Sequence, residues 1–147
     1  MKTINILLSV FAAFFGPECV HNRGVTLAEV DSVVAQMSTL ISAMESVESN
    51  GRDDATGDGG ASIGRLQIQR AYWEDALAHC PEIGGTYRDV RDAAYARRVV
   101  AAYWLRYCPS AVEARKLEVL ARVHNGGPRG ARVRATAAYW RRVEARL

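Results

Sequence analysis

The sequence has 147 residues and a mass of 16.1 kDa, which is enough for one compact domain and too little for two ordinary ones. Apolar residues make up 49% and charged residues 24% of the chain, which excludes the polar, charge-rich composition of a disordered protein. The formal net charge is only +3, but residues 1–84 hold five Lys and Arg against eleven Asp and Glu, and residues 86–147 hold fourteen against five. Such a basic half is either an ordinary solvated surface or a surface that attracts an anionic polymer: cell wall, nucleic acid or membrane.

The first residues have the pattern of a targeting segment. Lys2 supplies a positive start, and the apolar run over residues 4–15 is too short to cross a bilayer comfortably as a helix. We therefore expect residues 1–22 to be a signal peptide or hydrophobic leader and residues 25–147 to form the mature domain. No clean small-x-small cleavage site follows the run, so an uncleaved anchor stays open as the alternative.

Two of the three cysteines occupy similar positions. Cys80 and Cys108 each end a predicted helix and precede a Pro. A single disulfide between them in an oxidising compartment and two unpaired buried thiols are both open. Metal ligation by Cys and His is not expected, because no pair of them has the short spacing of a ligand set. No cofactor is expected.

A carboxylate extends the apolar face of the first predicted helix. Thr26 and Glu29 form a capping box at its start. The following positions recur at spacings of three and four and therefore share one helical face: Val30, Val34, Met37, Ile41, Met44 and Glu48. An unpaired Glu48 on this face is desolvated, which raises its pKa toward the range of a general acid. Glu45 lies at the edge of the same face and is the second choice.

Turn-forming residues follow this helix. Asn50 and Gly51 are a plausible C-terminal stop, and Asp and Gly crowd residues 53–60, where glycine permits a tight reversal. Residues 62–69 could form the return strand of a small hairpin. Helical patterns resume over residues 71–80, 92–107, 112–124 and 136–146, separated by a loop at 82–91 and breaks at Pro109 and 126–128. The expected class is α+β, mainly α, with a small β-hairpin.

The leading candidate site pairs Glu48 with Asp58 across the Gly-rich turn. Two carboxylates in different environments, one apolar and one polar, can divide acid and base or nucleophile roles in glycoside cleavage. Asp58 could equally be a turn-former that bonds its own backbone. Gln67 should face the cleft by strand alternation, and its amide suits sugar recognition, although such a residue usually faces water. His124 and Asn125, at a helix end before Gly-Gly-Pro, suggest either a site loop or an ordinary helix-terminating turn.

Four short motifs together resemble the lysozyme-like superfamily. They are Glu48-Ser49, Gly64-x-Leu66-Gln67-Ile68, residues 125–128 and Tyr139, and their order and spacing are similar to those of goose-type lysozymes and soluble lytic transglycosylases. Residues 67–75 also resemble invertebrate-type lysozymes. The resemblance covers roughly residues 40–143 and implies a lysozyme-like fold with the active-site cleft next to the hairpin.

The resemblance also implies roles for particular residues. Glu48 would be the general acid that protonates the glycosidic oxygen, Gln67 would line the glycan cleft, Asn125 would sit beside the reacting sugar, and Tyr139 would hydrogen-bond near the acid. Two positions depart from the pattern: His124 stands where those transglycosylases commonly have Tyr, and Arg65 replaces an apolar residue.

Lytic transglycosylases use a lone Glu and close an anhydro ring on the product. The resemblance therefore implies that Asp58, as a second carboxylate, favours hydrolysis over ring closure. The expectation is a secreted or periplasmic, monomeric muramidase that hydrolyses the β-1,4 bond between N-acetylmuramic acid and N-acetylglucosamine in peptidoglycan, without nucleic-acid binding or stable membrane association once the leader is removed. The alternatives are a lytic transglycosylase that forms anhydro products, a non-catalytic wall-binding module, and a basic nucleic-acid or membrane binder.

Overall fold

The computed structural model describes residues 24–147, so the expected leader lies outside the described residues. Within that range the α-helices are α1 (Leu27–Gln36), α2 (Ser38–Ser49), α3 (Arg70–His79), α4 (Ala93–Tyr107), α5 (Pro109–Glu113), α6 (Leu117–Gly126) and α7 (Thr136–Glu144). The strands are β1 (Thr56–Gly57), β2 (Ser62–Ile63) and β3 (Ile68–Gln69), and short 3₁₀ helices lie at Asp58–Gly60, Pro81–Ile83, Tyr87–Arg91 and Gly130–Arg132. The predicted α+β, mainly α, class is confirmed. No helix in the described part of the chain is both long and apolar enough to cross a membrane.

The first predicted helix is divided in two. The Thr26–Glu29 capping box forms as expected, with the Thr26 backbone N–H donating to the Glu29 carboxylate at 2.7 Å. Met37 then departs from helical geometry, with φ −107° and ψ 14°, and separates α1 from α2. The apolar face survives this break: Val30, Met37, Ile41 and Met44 are at most 2% exposed. Periodicity therefore identified the buried face but not the kink.

The sheet has three strands rather than the two of the predicted hairpin. β2 pairs antiparallel with both β1 and β3, with Ser62 opposite Gln69. The predicted return strand is interrupted at residues 64–67, because Gly64 (φ 76°) and Gln67 (φ 46°) both take left-handed backbone conformations. A turn there reverses the chain and makes room for the third strand.

Gly64, the first residue of the Gly-x-Leu-Gln-Ile motif, lies in this turn where a side chain has no room. A Cβ on Gly64 would clash with the Val90 backbone oxygen, and positive φ is itself unfavourable for a non-Gly residue. We expect Gly64→Ala to lower the free energy of unfolding by about 2 kcal/mol in urea denaturation. Gly59→Ala is the matched control, since Gly59 also has positive φ but open space around it, and should cost about 1 kcal/mol. Equal losses would contradict the steric argument.

The core is built around α4, which packs against α1, α3 and α6. Asp92 caps this helix, its carboxylate accepting from the Tyr95 N–H at 2.8 Å. Trp104 is fully buried and donates its indole N–H to the Leu120 carbonyl at 2.9 Å. Pro109 ends α4 but also begins α5, since proline is well tolerated in the first helical turn. The helix predicted over residues 112–124 is consequently divided between α5 and α6.

Cys80 and Cys108 are both free thiols, as in the second sequence alternative, but only Cys80 is buried, whereas Cys108 is half-buried. Burial raises the pKa of Cys80, and burial raises the pKa of Cys108 to about 11. Both therefore remain protonated and weakly nucleophilic at neutral pH.

Candidate active site

A cleft of about 420 Å³ opens between the end of α2, the sheet, α3 and the end of α6. Five of the six predicted site residues line it, namely Glu48, Asp58, Gln67, His124 and Asn125. The sixth, Tyr139, is buried beside Glu48. Nowhere in residues 24–147 do three or more His, Cys, Asp or Glu side chains form a group that could hold a metal ion.

Glu48 lies in the last turn of α2 and its side chain is only 17% exposed. Burial raises the pKa of its carboxyl, as predicted from the apolar face that it extends. Interaction with the Tyr139 hydroxyl and the positive charge of Arg142 offset part of this rise, whereas the negative charge of Asp58 adds to it. The Glu48 carboxyl therefore keeps its proton at pH values above the usual titration range of a Glu.

Tyr139 comes from α7 and is 2% exposed. Its buried hydroxyl makes no hydrogen bond of full geometry to any described residue, yet it is near enough to Glu48 to lower the pKa of that carboxyl. Burial raises the pKa of Tyr139 far above its ordinary value, so it remains a neutral donor. Such a donor can form a hydrogen bond to Glu48 when the carboxyl becomes a carboxylate.

His124 is an uncharged neighbour of the acid at neutral pH. Its Nε2 lies 3.7 Å from a Glu48 carboxyl oxygen, and its Nδ1 lies 3.2 Å from the Tyr72 hydroxyl. Burial lowers the pKa of His124 to about 4, and a hydrogen bond with the Leu66 backbone only partly opposes this shift. The contact with Glu48 is therefore a packed polar contact and not an ion pair near pH 7.

Asp58 faces Glu48 from the turn between β1 and β2. Its backbone is left-handed, with φ 50°, and its side chain reaches across the sheet rather than to its own backbone. One carboxylate oxygen accepts from the Ser62 hydroxyl at 2.6 Å and from the Gln69 amide at 3.4 Å. The Asp58 carboxylate therefore bonds side chains of β2 and β3 and not the backbone of its own turn.

Gln67 reaches the cleft by a different route from the one predicted. It lies in the turn before β3 rather than in a strand, and its amide nitrogen donates to the Gly64 carbonyl at 2.8 Å. A Cβ on Gly57 would clash with its amide oxygen, so a glycine at 57 makes room for this side chain. Asn125 is exposed at the other end of the cleft, in the last turn of α6.

Sequence reasoning missed several residues of the cleft wall, namely Ser62, Gln69, Ala71, Tyr72, Asp75, Tyr103 and Gly127. Tyr72 from α3 and Tyr103 from α4 stack with ring centroids 3.6 Å apart and an interplanar angle of 12°. In the sequence, the helical spacing of Tyr72 and Tyr103 is typical of core residues. Only the packing of α3 on α4 brings the two rings together. Both rings line the cleft, although they stack face to face and Tyr103 is only 4% exposed.

Glu45 and Arg65 form ion pairs near Glu48 and do not line the cleft. Glu45, the second choice, is 5% exposed and receives two hydrogen bonds from Arg97, at 2.9 and 2.8 Å. Arg65, which departs from the family pattern, contacts Glu45 at 3.6 Å and Asp53 at 2.7 Å instead of lining the cleft. Its carbonyl accepts from the Ser49 hydroxyl at 2.9 Å, which ties the end of α2 to the turn carrying Gln67.

Similarity to known proteins agrees with this geometry. The chain is 44% identical over 85 residues to Lysozyme 1 of Crassostrea virginica, covering 57% of this chain and 44% of that protein, so it spans less than half of that relative's length. It is 37% identical over 87 residues to a lysozyme of Meretrix lusoria, covering 58% of this chain and 68% of that protein. The inhibitor-bound crystal structure of Meretrix lusoria lysozyme superposes with a TM-score of 0.60 at 31% identity, covering 73% of this chain and 87% of that one.

No family model matches the chain. The assignment therefore depends on the individual relatives, some of which, from Caenorhabditis elegans, carry the name invertebrate-type lysozyme at 32 to 33% identity and 67% coverage of their length. On the strength of these relatives and of the shared fold, this chain belongs to the invertebrate-type lysozymes.

Proposed function

We propose that the protein is a muramidase that hydrolyses the β-1,4 bond between N-acetylmuramic acid and N-acetylglucosamine in peptidoglycan. The observation that carries the proposal is the desolvated Glu48 carboxyl, which lies in the cleft wall with Asp58 as a second carboxylate in the same cleft. In this reaction Glu48 donates its proton to the glycosidic oxygen as the bond to the sugar C1 breaks. The Tyr139 hydroxyl then stabilises the carboxylate that remains.

Asp58 has the complementary role. Held by Ser62 and Gln69, its carboxylate is positioned to stabilise the positive charge that develops on the sugar or to activate the attacking water. The stacked Tyr72 and Tyr103 rings and the amides of Gln67 and Asn125 orient the glycan. We further propose that the protein acts as a secreted monomer on the bacterial wall, without nucleic acid as a partner.

The products of a peptidoglycan digest test the proposal. Mass spectrometry of the released muropeptides should find reducing ends, and Asp58→Asn should lower kcat by about a hundredfold, as expected for loss of one member of an acid and base pair. Asp54→Asn, in an exposed position of the preceding turn, is the matched control and should retain the parental rate. Anhydro ends would identify a lytic transglycosylase, and sedimentation with the wall without soluble fragments would identify a binding module; either result contradicts the proposal.

The pH dependence of the rate should report the environment of Glu48. The acid must be protonated to react, so kcat/KM should fall as the pH rises through the raised pKa of Glu48. Because the Tyr139 hydroxyl lowers that pKa, Tyr139→Phe should move this alkaline limb to higher pH. Tyr95→Phe, which removes a hydroxyl outside the cleft, should leave the limb in place. A limb that stays in place or moves down in Tyr139→Phe would contradict the assignment.

A further inference from the structure

A second groove lies on the other side of the small sheet. It is lined by Ile63, Arg70, Tyr87, Arg88 and Arg91, with a volume of about 420 Å³. Side chains alternate between the two faces of a strand, and Ser62 of β2 lines the catalytic cleft whereas Ile63 lines this groove. The two concavities therefore share one thin wall.

Three guanidinium groups and no carboxylate line this groove. Arg70 lies over the Tyr87 ring, 4.6 Å from its centroid, and Arg91 is held by the Asp53 carbonyl at 3.2 Å and the Thr56 hydroxyl at 3.4 Å. None of these three contacts neutralises the charge of Arg70 or Arg91, because a ring, a carbonyl and a hydroxyl are all uncharged. Arg88 is exposed and forms no ion pair with any residue of the described range.

The floor of the groove is held in place by Tyr87. Its hydroxyl bridges the Ala61 carbonyl at 3.0 Å and the Ile68 carbonyl at 2.8 Å, which fixes the ring against the sheet. The 3₁₀ helix that carries Tyr87, Arg88 and Arg91 is itself anchored by a capping box between Thr86 and Asp89. The guanidinium groups of Arg70 and Arg91, held by the contacts given above, are therefore in place before any ligand arrives. This lowers the entropic cost of binding.

We propose that this groove binds a phosphodiester group of an anionic polyol-phosphate polymer attached to the cell wall. Three guanidinium groups in one groove suit a phosphodiester, whose two non-bridging oxygens share a negative charge and can accept from different arginines. The carboxylate of a wall peptide is the rival ligand, because a carboxylate can also contact two arginines, as Glu45 contacts Arg97 and Arg65; titration with acetate distinguishes the two ligands. The inference rests on the proposed function in that it places the polymer beside the glycan in the cleft.

The test compares walls that carry the phosphate polymer with walls from which it has been stripped. Arg70→Gln combined with Arg88→Gln should weaken binding to polymer-bearing walls by about tenfold or more, as expected for loss of two charge-assisted contacts. Binding to stripped walls and cleavage of soluble glycan fragments should not change. Arg115→Gln combined with Lys116→Gln removes the same charge from an exposed turn outside both the cleft and the groove, and should leave all three measurements at parental values.

Titration with inorganic phosphate, followed by NMR of the arginine side-chain N–H groups, separates the possible sources of the ligand. Shifts at Arg70, Arg88 and Arg91 that are stronger with a soluble polyol-phosphate chain than with inorganic phosphate support the polymer. Stronger shifts with acetate, or equal losses in both double variants, overturn the proposal. Phosphate-dependent shifts in a protein that releases no muropeptides would leave this site intact and reject only the muramidase activity.

Discussion

Glu48→Gln should lower the rate of peptidoglycan hydrolysis by about a thousandfold, within the range expected for loss of a general acid. The amide keeps the size and position of the side chain but has no proton to give to the leaving oxygen. The assay is the release of soluble muropeptides under conditions where the parental enzyme is saturated. Glu113→Gln, on an exposed position of α5, is the control and should retain full activity.

Stability distinguishes a lost acid from a damaged fold. Because the pKa of Glu48 is raised in the folded protein, its protonated form favours folding below the ordinary value of 4.5, and this contribution is lost as the pH rises through the raised pKa. Glu48→Gln does not ionise, so above that range its Tm should equal or exceed that of the parental protein. Parental activity in this variant, or a large fall in its Tm together with the activity, would contradict the role assigned to Glu48.

Glu45→Ala should cause the largest loss of stability among the variants considered, about 3 kcal/mol in urea denaturation, as expected when one partner of a buried ion pair is removed. The Glu45 side chain is 6% exposed, whereas those of Arg97 and Arg65 are 24% and 22% exposed. Removal of the carboxylate leaves two guanidinium groups facing each other with only partial access to water. That partial access places the expected loss at the low end of the range for buried pairs.

Asp31→Ala is the matched control for this effect. It also removes a carboxylate that receives two hydrogen bonds from one arginine, Arg98, but both side chains are more than 40% exposed. Exposed pairs contribute little, so the loss should stay below about 1 kcal/mol. If Glu45→Ala were as mild as Asp31→Ala, the ion network would not be what fixes the turn beside the acid.

A chain of contacts through Arg65 links Glu45 to the site. Arg65 bridges Glu45 and Asp53 by its side chain, and its carbonyl accepts from Ser49, the residue after the acid. The hydrogen bond from Arg65 lowers the pKa of the Asp53 carboxyl below its usual value. The Arg65–Asp53 pair therefore stays ionised into the acidic range. The arginine that departs from the family pattern thus fastens the acid's helix to the turn that presents Gln67.

Much of the helical framework could be predicted from local patterns. The capping box at Thr26, the Asp92 cap and the apolar spacing that ends in Glu48 are properties of neighbouring residues along the chain. The kink at Met37 and the start of α5 at Pro109 were missed, since intrinsic preferences at such points are weak and tertiary packing decides them. The third strand was missed because it depends on left-handed backbone at Gln67, which its residue type does not favour.

The sequence by itself determined that Glu48 would be desolvated, because helical spacing places Glu48 on the same face as Met44 and Ile41, wherever that face packs, but it did not show that Glu45 is even less exposed. Only the tertiary structure decided what surrounds it. Tyr139 and His124 reach Glu48 because α7 and α6 pack against α2, and Tyr72 meets Tyr103 because α3 packs against α4. These contacts join residues far apart in the chain, where spacing carries no information, so the aromatic part of the cleft wall and the neighbours of Glu48 could not be predicted from the sequence.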